Sequence, residues 1–325
     1  MKKAIMMVSL GLLLSIFVSA PAMAQLKDVK TTVPRNSVFI LSYLGAKDAG
    51  VFSKHGINLI PNPSAFKAHM AGLPSKSVPC ATYAGTAAIA RINKGLDWVI
   101  VGGGLTVMQE VFVLKNSPFK TMKDLRGKKF ASWSTGAGAF KATRAAIMDA
   151  FEIDVLKDTE FKQAAAPALI KLLDRGDVDS MFNISSLTIA AAAQPDKYRS
   201  VFVPNDYWKK KTGYPIVWSA PLVCWRSWVN EDPERAKNYA AAVQESMTWL
   251  RSNVDTAIKK HGKLAAVKNK AQANTYKRWL KEKKIWLARW DQEVIDSQWQ
   301  FLEMASKRGV LTKIPDKKKH GLILN

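Results

Sequence analysis

Ser117-Pro118-Phe119-Lys120-Thr121-Met122-Lys123-Asp124-Leu125-Arg126-Gly127-Lys128-Lys129 opens the stretch that decides the fold, which runs on to Ala190. A short apolar strand follows, then the small-residue turn Trp133-Ser134-Thr135-Gly136-Ala137-Gly138-Ala139 and a helical pattern. A second element ends Asp174-Arg175-Gly176-Asp177-Val178-Asp179-Ser180. Strand, turn and helix N-terminus in that order bring backbone amides to one point, an arrangement suited to a small anion.

Working outward, β-branched runs alternate with helical patterns over the first two-thirds of the chain, which predicts an α/β fold with mainly parallel sheets. Strands are expected at Val29 to Pro34, Ile57 to Ile60, Ser77 to Ala81 and Trp98 to Val101. Ser37 reads as an N-cap, and Pro63-Ser64 as a helix start closed by Gly72. Within the opening block, strands are expected at Lys129 to Trp133, Phe161 to Ala164 and Val178 to Phe182. Trp218 to Trp228 reads as one long extended run, and from Pro233 onward the pattern is helical. Nine of the eleven tryptophans fall between Trp208 and Trp299. Trp279, Trp286 and Trp290 stand at i, i+7 and i+11, a spacing that predicts a core seam on one helix. Lys277 to Lys284 reads as the solvated face of that helix, and Lys317-Lys318-Lys319 as a frayed tail.

The first 24 residues combine a basic start, Lys2-Lys3, an apolar core from Ala4 to Val18 and the small-x-small pattern Ala22-Met23-Ala24. They are expected to be a cleaved signal peptide, because the apolar run falls short of the roughly 20 residues that a membrane span needs. The formal net charge is +23, of which Lys2 and Lys3 supply two. Export and the scatter of Lys and Arg along the chain argue against nucleic acid as the partner. Cys80 and Cys224 lie in apolar, strand-like segments, a setting that favours buried free thiols over a disulfide. No two of His55, His69, His261 and His320 have ligand spacing, so no metal is expected. The sequence contains no G-x-S-x-G elbow and no G-x-x-x-x-G-K-[ST] loop, so it is read as non-enzymatic and without a cofactor.

Several of these segments are familiar. Gly50-Val51-Phe52-Ser53-Lys54-His55-Gly56-Ile57 resembles the G-x-F-x-K-x-G-[IL] segment of periplasmic substrate-binding proteins of the nitrate/sulfonate/taurine class. Ser117 to Lys129 resembles their lead-in to the second lobe. Leu172 to Asp179 resembles their L-L-x-x-G-x-V-D, and Asp232-Pro233-Glu234 resembles their return to the first lobe. The first lobe normally carries a G-x-x-D ahead of its third strand; here Leu73-Pro74-Ser75-Lys76-Ser77 stands in that place. The resemblance implies a two-lobed, type II periplasmic binding fold. Lobe one comprises 25–112 and 222–325 and lobe two 113–221, with a helical C-terminal segment. It also implies a monomeric periplasmic receptor that closes over a small-molecule anion and delivers it to an inner-membrane ABC permease. Two alternatives stay open: an enzyme on the same scaffold, resembling thiamine-pyrimidine synthases and using Lys67 and His69, and a sensory module docking on a membrane receptor.

In such a cleft the strand-to-helix turns hold the ligand. The candidates are Arg35, Asn36 and Ser37; Tyr83, Gly85 and Thr86; Ser134, Thr135 and Gly136; Asn183 and Ser185; and Trp218. Glycine lets backbone approach an anion and Ser or Thr adds neutral donors. Arg35 is the candidate counter-ion, its planar fork suiting a carboxylate or sulfonate. Tyr83, Trp133 and Trp218 are candidate aromatic walls, which would favour a ligand with a flat or apolar part.

Overall fold

A computed structural model describes residues 25–324 except 283 and 288; the expected signal peptide, 1–24, lies outside the described residues. The chain begins with β1 (Lys27–Pro34), α1 (Val38–Asp48), α2 (Val51–Lys54), β2 (Ile57–Ser64), α3 (Phe66–Gly72), β3 (Cys80–Thr82), α4 (Gly85–Asn93) and β4 (Trp98–Leu105). Then come β5 (Val111–Leu114), a 3-10 turn (Met122–Leu125), β6 (Lys129–Ser132), α5 (Gly138–Phe151), β7 (Glu160–Gln163), α6 (Ala166–Asp174), β8 (Ser180–Phe182), α7 (Ser185–Ala192), β9 (Tyr198–Phe202) and α8 (Pro204–Thr212). The return comprises β10 (Ala220–Trp225), α9 (Arg226–Glu231), α10 (Pro233–His261), α11 (Lys270–Lys281), α12 (Gln292–Lys307) and α13 (Lys317–His320).

Two sheets result. In the first, β1 and β2 pair in parallel from Lys27↔Ile57 to Pro34↔Ser64. Beside β1 lies the three-stranded set β3-β10-β4, and Thr31 Oγ1 donates to the Cys80 carbonyl at 3.0 Å across that seam. The strand β2 runs on through Pro61 and Pro63 to Ser64, so the expected helix start at Pro63-Ser64 is wrong. Proline lacks an N–H, and an outermost strand leaves half its amides without a ladder partner, so proline is tolerated there. The second sheet has the order β7-β6-β8-β5-β9, with β6, β7 and β8 parallel and β5 antiparallel to both of its neighbours.

The returning strand β10 lies between β3 and β4, antiparallel to both. Cys224 sits opposite Cys80 in that ladder, with Cα atoms 4.1 Å apart, and the two form a disulfide. The expectation of free thiols is therefore corrected. Strand-like surroundings predict burial, and both cysteines are buried; the pairing comes from a register between segments 144 residues apart, which local sequence does not encode.

Three further expectations change. The run from Trp218 is extended only to Trp225, and Trp228 belongs to α9. The helix carrying Trp279 ends at Lys281, so Trp286 and Trp290 lie on an irregular strap rather than on the same face, although all three are buried. This strap runs along the Gly102-Gly103-Gly104 stretch of β4, where a Cβ on Gly103 would stand 2.5 Å from the Leu287 carbonyl oxygen and 2.8 Å from that of Arg289. Finally, the C-terminal lysines are not a frayed tail. Asp316 caps α13, Leu322 N donates to Ile100 O at 2.9 Å on the outer side of β4, and Trp290 Nε1 donates to Leu322 O at 2.9 Å.

The helix α12 belongs to both halves of the molecule. Its Gln298 accepts from Val217 N at 2.9 Å and receives Trp218 Nε1 on its carbonyl at 3.2 Å. Past its end, Arg308 grips Glu152 at the end of α5 through two bonds of 2.6 and 2.7 Å. One continuous apolar cluster accordingly joins Ala88 and Ile89 of α4, Phe140 and Ala142 of α5, and Val294, Phe301 and Leu302 of α12. Among the described residues no helix is long and apolar enough to cross a membrane.

Candidate functional site

The parallel strands of both sheets end in turns that start helices, and the turns of the two sheets meet. Gly85, at the start of α4, donates its N–H to the Trp218 carbonyl at 3.1 Å. A Cβ on Gly138, at the start of α5, would lie 3.3 Å from Thr86 Oγ1 and from the Trp218 carbonyl oxygen. Glycine is required at position 85 by close approach: a Cβ there would stand 2.8 Å from the same carbonyl. Two helix N-termini, one from each sheet, therefore converge on one backbone carbonyl.

Every α-helix that directly follows a strand lacks a side-chain cap, α8 after Val203 and α9 after Trp225 included, and so do the helices at these turns. None of the six helices that begin at them has its first amides bonded by an N-cap side chain: α1 follows Ser37, α3 Ala65, α4 Ala84, α5 Ala137, α6 Ala165 and α7 Ile184. Ser37 is of the right type, but its Oγ donates back to the Pro34 carbonyl at 2.6 Å. By contrast α10, α11, α12 and α13, none of which directly follows a strand, are capped by Asp232, Asn269, Asp291 and Asp316. A side-chain cap contributes about 1 kcal/mol, so the turns forgo that stabilisation and leave first-turn amides and about half a positive charge per helix available. The turns themselves (34–38, 64–66, 82–86, 132–138, 163–167 and 182–186) contain no Asp or Glu. Thr86 Oγ1 is buried with no hydrogen-bond partner among the described residues.

The family model described as "NMT1/THI5 like" matches residues 37–257, about two-thirds of the chain. The chain belongs to the NMT1/THI5-like family. No curated protein matches it. Among solved structures it is similar to the periplasmic aliphatic sulphonate binding protein SsuA from Escherichia coli, with TM-score 0.72 and 16% identity over 92% of each chain. It is also similar to the alkanesulfonate-binding SsuA from Xanthomonas axonopodis pv. citri bound to MOPS (TM-score 0.65, 13% identity, 89% of this chain and 95% of that one). A third similar structure is the desulfurization enzyme DSZB (TM-score 0.59, 14% identity, 90% and 95%). At these identities the likeness establishes the fold, and it is the two-lobed periplasmic-binding-protein type that the sequence predicts.

The candidate residues of this NMT1/THI5-like chain divide into two groups. Gly85 and Thr86 meet the start of α5, as just described. Ser134 and Thr135 are half-buried and Gly136 exposed, with Ser134 Oγ accepting from Gly136 N at 3.2 Å to shape the turn. Arg35, Asn36 and Ser37 form the β1–α1 turn; Asn36 adopts the left-handed region at φ 56°. The exposed Arg35 guanidinium is held over the end of β2 by Nε donating to the Pro63 carbonyl at 3.1 Å. Ser185 opens α7 and accepts from Gln109 Nε2 at 3.0 Å.

Tyr83, Asn183 and Trp218 form the second group, and each is buried with its side-chain polar atoms bonded within the protein. The ring of Tyr83 is buried edge-on to Trp98 at 5.1 Å, and its hydroxyl donates to the Met70 carbonyl. Asn183 is buried, donating to Ala166 O at 3.0 Å and accepting from Ile184 N at 2.8 Å, which ties the start of α6 to that of α7. The Trp218 ring packs on Trp299 at 5.7 Å, and only its backbone carbonyl reaches the junction. Trp133 stacks on Phe182 at 5.4 Å and is half-buried.

Lys67 and His69 do not assemble into a catalytic pair. Lys67 is exposed, whereas His69 is buried with Nδ1 3.0 Å from Thr32 Oγ1, and burial lowers its pKa to about 4, so the ring is neutral. Gln109 was not among the sequence candidates. The available signal was a pair of polar residues, Gln109-Glu110, between the apolar Val107-Met108 and the strand β5.

Proposed function

We propose that the chain is an extracytoplasmic solute-binding protein that captures a small organic or inorganic anion, such as a sulfonate or carboxylate, between its lobes. One observation carries this reading: the starts of α4 and α5, one from each half of the molecule, meet at the Trp218 carbonyl without side-chain caps and in turns free of Asp and Glu. Uncapped amides and helix dipoles favour a negative charge, and the missing carboxylates leave nothing there to repel it. The names of two similar structures, both sulfonate-binding proteins, support the same class.

In this reading lobe one comprises 25–112 and 222–325 and lobe two 113–221. Arg35, Ser37, Gly85, Thr86, Ser134, Thr135, Gly136 and Ser185 contact the anion. The protein acts as a periplasmic monomer after loss of residues 1–24 and hands the ligand to an ABC permease. It binds rather than converts its ligand, which the separation of Lys67 from His69 supports. The test is a thermal-shift series with nitrate, bicarbonate, alkanesulfonates and aromatic carboxylates, since a ligand selective for the folded state raises the melting temperature. Anions should raise it, and a response confined to neutral or cationic compounds contradicts the reading. Turnover of a bound compound would establish an enzyme instead.

A further inference from the structure

Gln109 lies in the crossing between the two sheets, between β4 and β5, where only 3% of its surface is exposed. Its Nε2 is committed to Ser185 Oγ at 3.0 Å, which anchors the amide at the first residue of α7. The other end is not committed: Oε1 is buried and meets no donor among the described residues. An unmatched buried acceptor is costly to the folded protein, so its retention here points to a donor that arrives with the ligand.

The surroundings restrict what kind of donor this is. Ser185 begins α7 and its turn holds no Asp or Glu, so an ammonium at this position would meet a helix N-terminus and no counter-charge from that turn. The adjacent Glu110 does not supply one. Its carboxylate faces Lys284 Nζ at 3.8 Å, and burial raises its pKa. A neutral carbonyl beside a positive helix end matches a neutral O–H or N–H on a molecule whose charge is negative.

We propose that Gln109 is a specificity-determining residue that accepts a hydrogen bond from a neutral donor on the bound anion. The ligand class is then a monoanion bearing a hydroxyl or amide N–H, hydroxy-sulfonates and hydroxy-carboxylates being the simplest members. This rests on the anion-binding reading above and adds a chemical requirement to it.

The test uses matched ligands on the full mature chain, with affinities from isothermal titration calorimetry. One set is 2-hydroxyethanesulfonate, ethanesulfonate and 2-aminoethanesulfonate; the other is lactate, propionate and alanine. Within a set the hydroxy compound is expected to bind about tenfold tighter than the unsubstituted one, the cost of one unmatched buried acceptor. It should also outbind the amino compound. In Gln109→Leu this preference, read as the affinity ratio of the two compounds within the variant, should fall to within about twofold, as expected once no acceptor remains to be matched. Equal binding of hydroxy and unsubstituted anions overturns the proposal, as does tightest binding of the amino compound or a preference unchanged in Gln109→Leu. If the Leu variant fails to fold, the wild-type series decides alone. Failure of all six to bind would overturn the anion reading along with the proposal, whereas binding without discrimination would overturn only the role of Gln109.

Discussion

Removing the Cys80–Cys224 disulfide should destabilise the protein more than any surface change. The bond closes a loop spanning 144 residues, and that loop contains all of β4 to β9. In the chain-entropy account, cross-linking so long a loop restricts the unfolded ensemble by about 5 kcal/mol, with 2–4 kcal/mol the usual measured range. For roughly 300 ordered residues, 5 kcal/mol corresponds to about 8 °C in melting temperature. The assay is urea unfolding of the oxidised protein against the Cys80→Ala/Cys224→Ala variant. The variant should show a lower midpoint and a larger m-value, because an unlinked chain exposes more surface when it unfolds. Both sulfurs are buried in the oxidised protein, so thiol reductants should act on it at the rate of unfolding. Matching midpoints and m-values, or reduction of the native protein as fast as that of the unfolded one, would refute the argument.

Other expectations follow from single contacts. Gly85→Ala forces a methyl against the Trp218 carbonyl, so it should cost about 1–3 kcal/mol in urea unfolding and weaken anion binding; an unchanged midpoint with unchanged affinity argues against the junction as described. His69 is neutral when folded, with a pKa of about 4, and ordinary when unfolded. The unfolded chain therefore takes up the proton first as pH falls, so the stability is complete above about pH 6.5 and is lost toward pH 4. The loss amounts to about 3 kcal/mol, and His69→Gln should flatten that part of the stability profile. Arg144 holds the buried Asp154 through bonds of 2.7 and 2.6 Å, and Arg144→Ala should cost about 3–5 kcal/mol by leaving that carboxylate unpaired. The double replacement Arg144→Met/Asp154→Leu should recover most of the loss, as measured by thermal melting.

What the sequence disclosed and what it withheld separate along physical lines. The alternation around Ser117 to Ala190 placed β6, β7 and β8 within a residue or two, because period and turn residues are local properties. The Cys80–Cys224 bond escaped, since it depends on where β10 returns. The tail escaped for the same reason: Lys317 to Lys319 look solvated, and what holds them down is Leu322 pairing with Ile100. Trp286 and Trp290 keep helical spacing by coincidence, on a strap fixed by the glycines of β4. At the site, Gly85 and Thr86 stand at a strand end, and the structure sets them against the start of α5. The turn positions of Tyr83 and Trp218 do not say which way a large ring points. Gln109 adjoins Glu110, and the sequence gives no sign of which of its polar atoms is satisfied.

The position of α12 has a consequence for how the chain reaches its folded state. A polypeptide emerges N-terminus first, yet Phe140 and Ala142 of the second lobe and Ala88 and Ile89 of the first share a cluster with Val294, Phe301 and Leu302. A smaller cluster around Phe112, Leu169 and Tyr198 is complete without them, but the shared cluster closes only when residues near 300 have appeared, and β4 keeps an open edge until Leu322 arrives. Joining of the two halves therefore waits for nearly the whole chain.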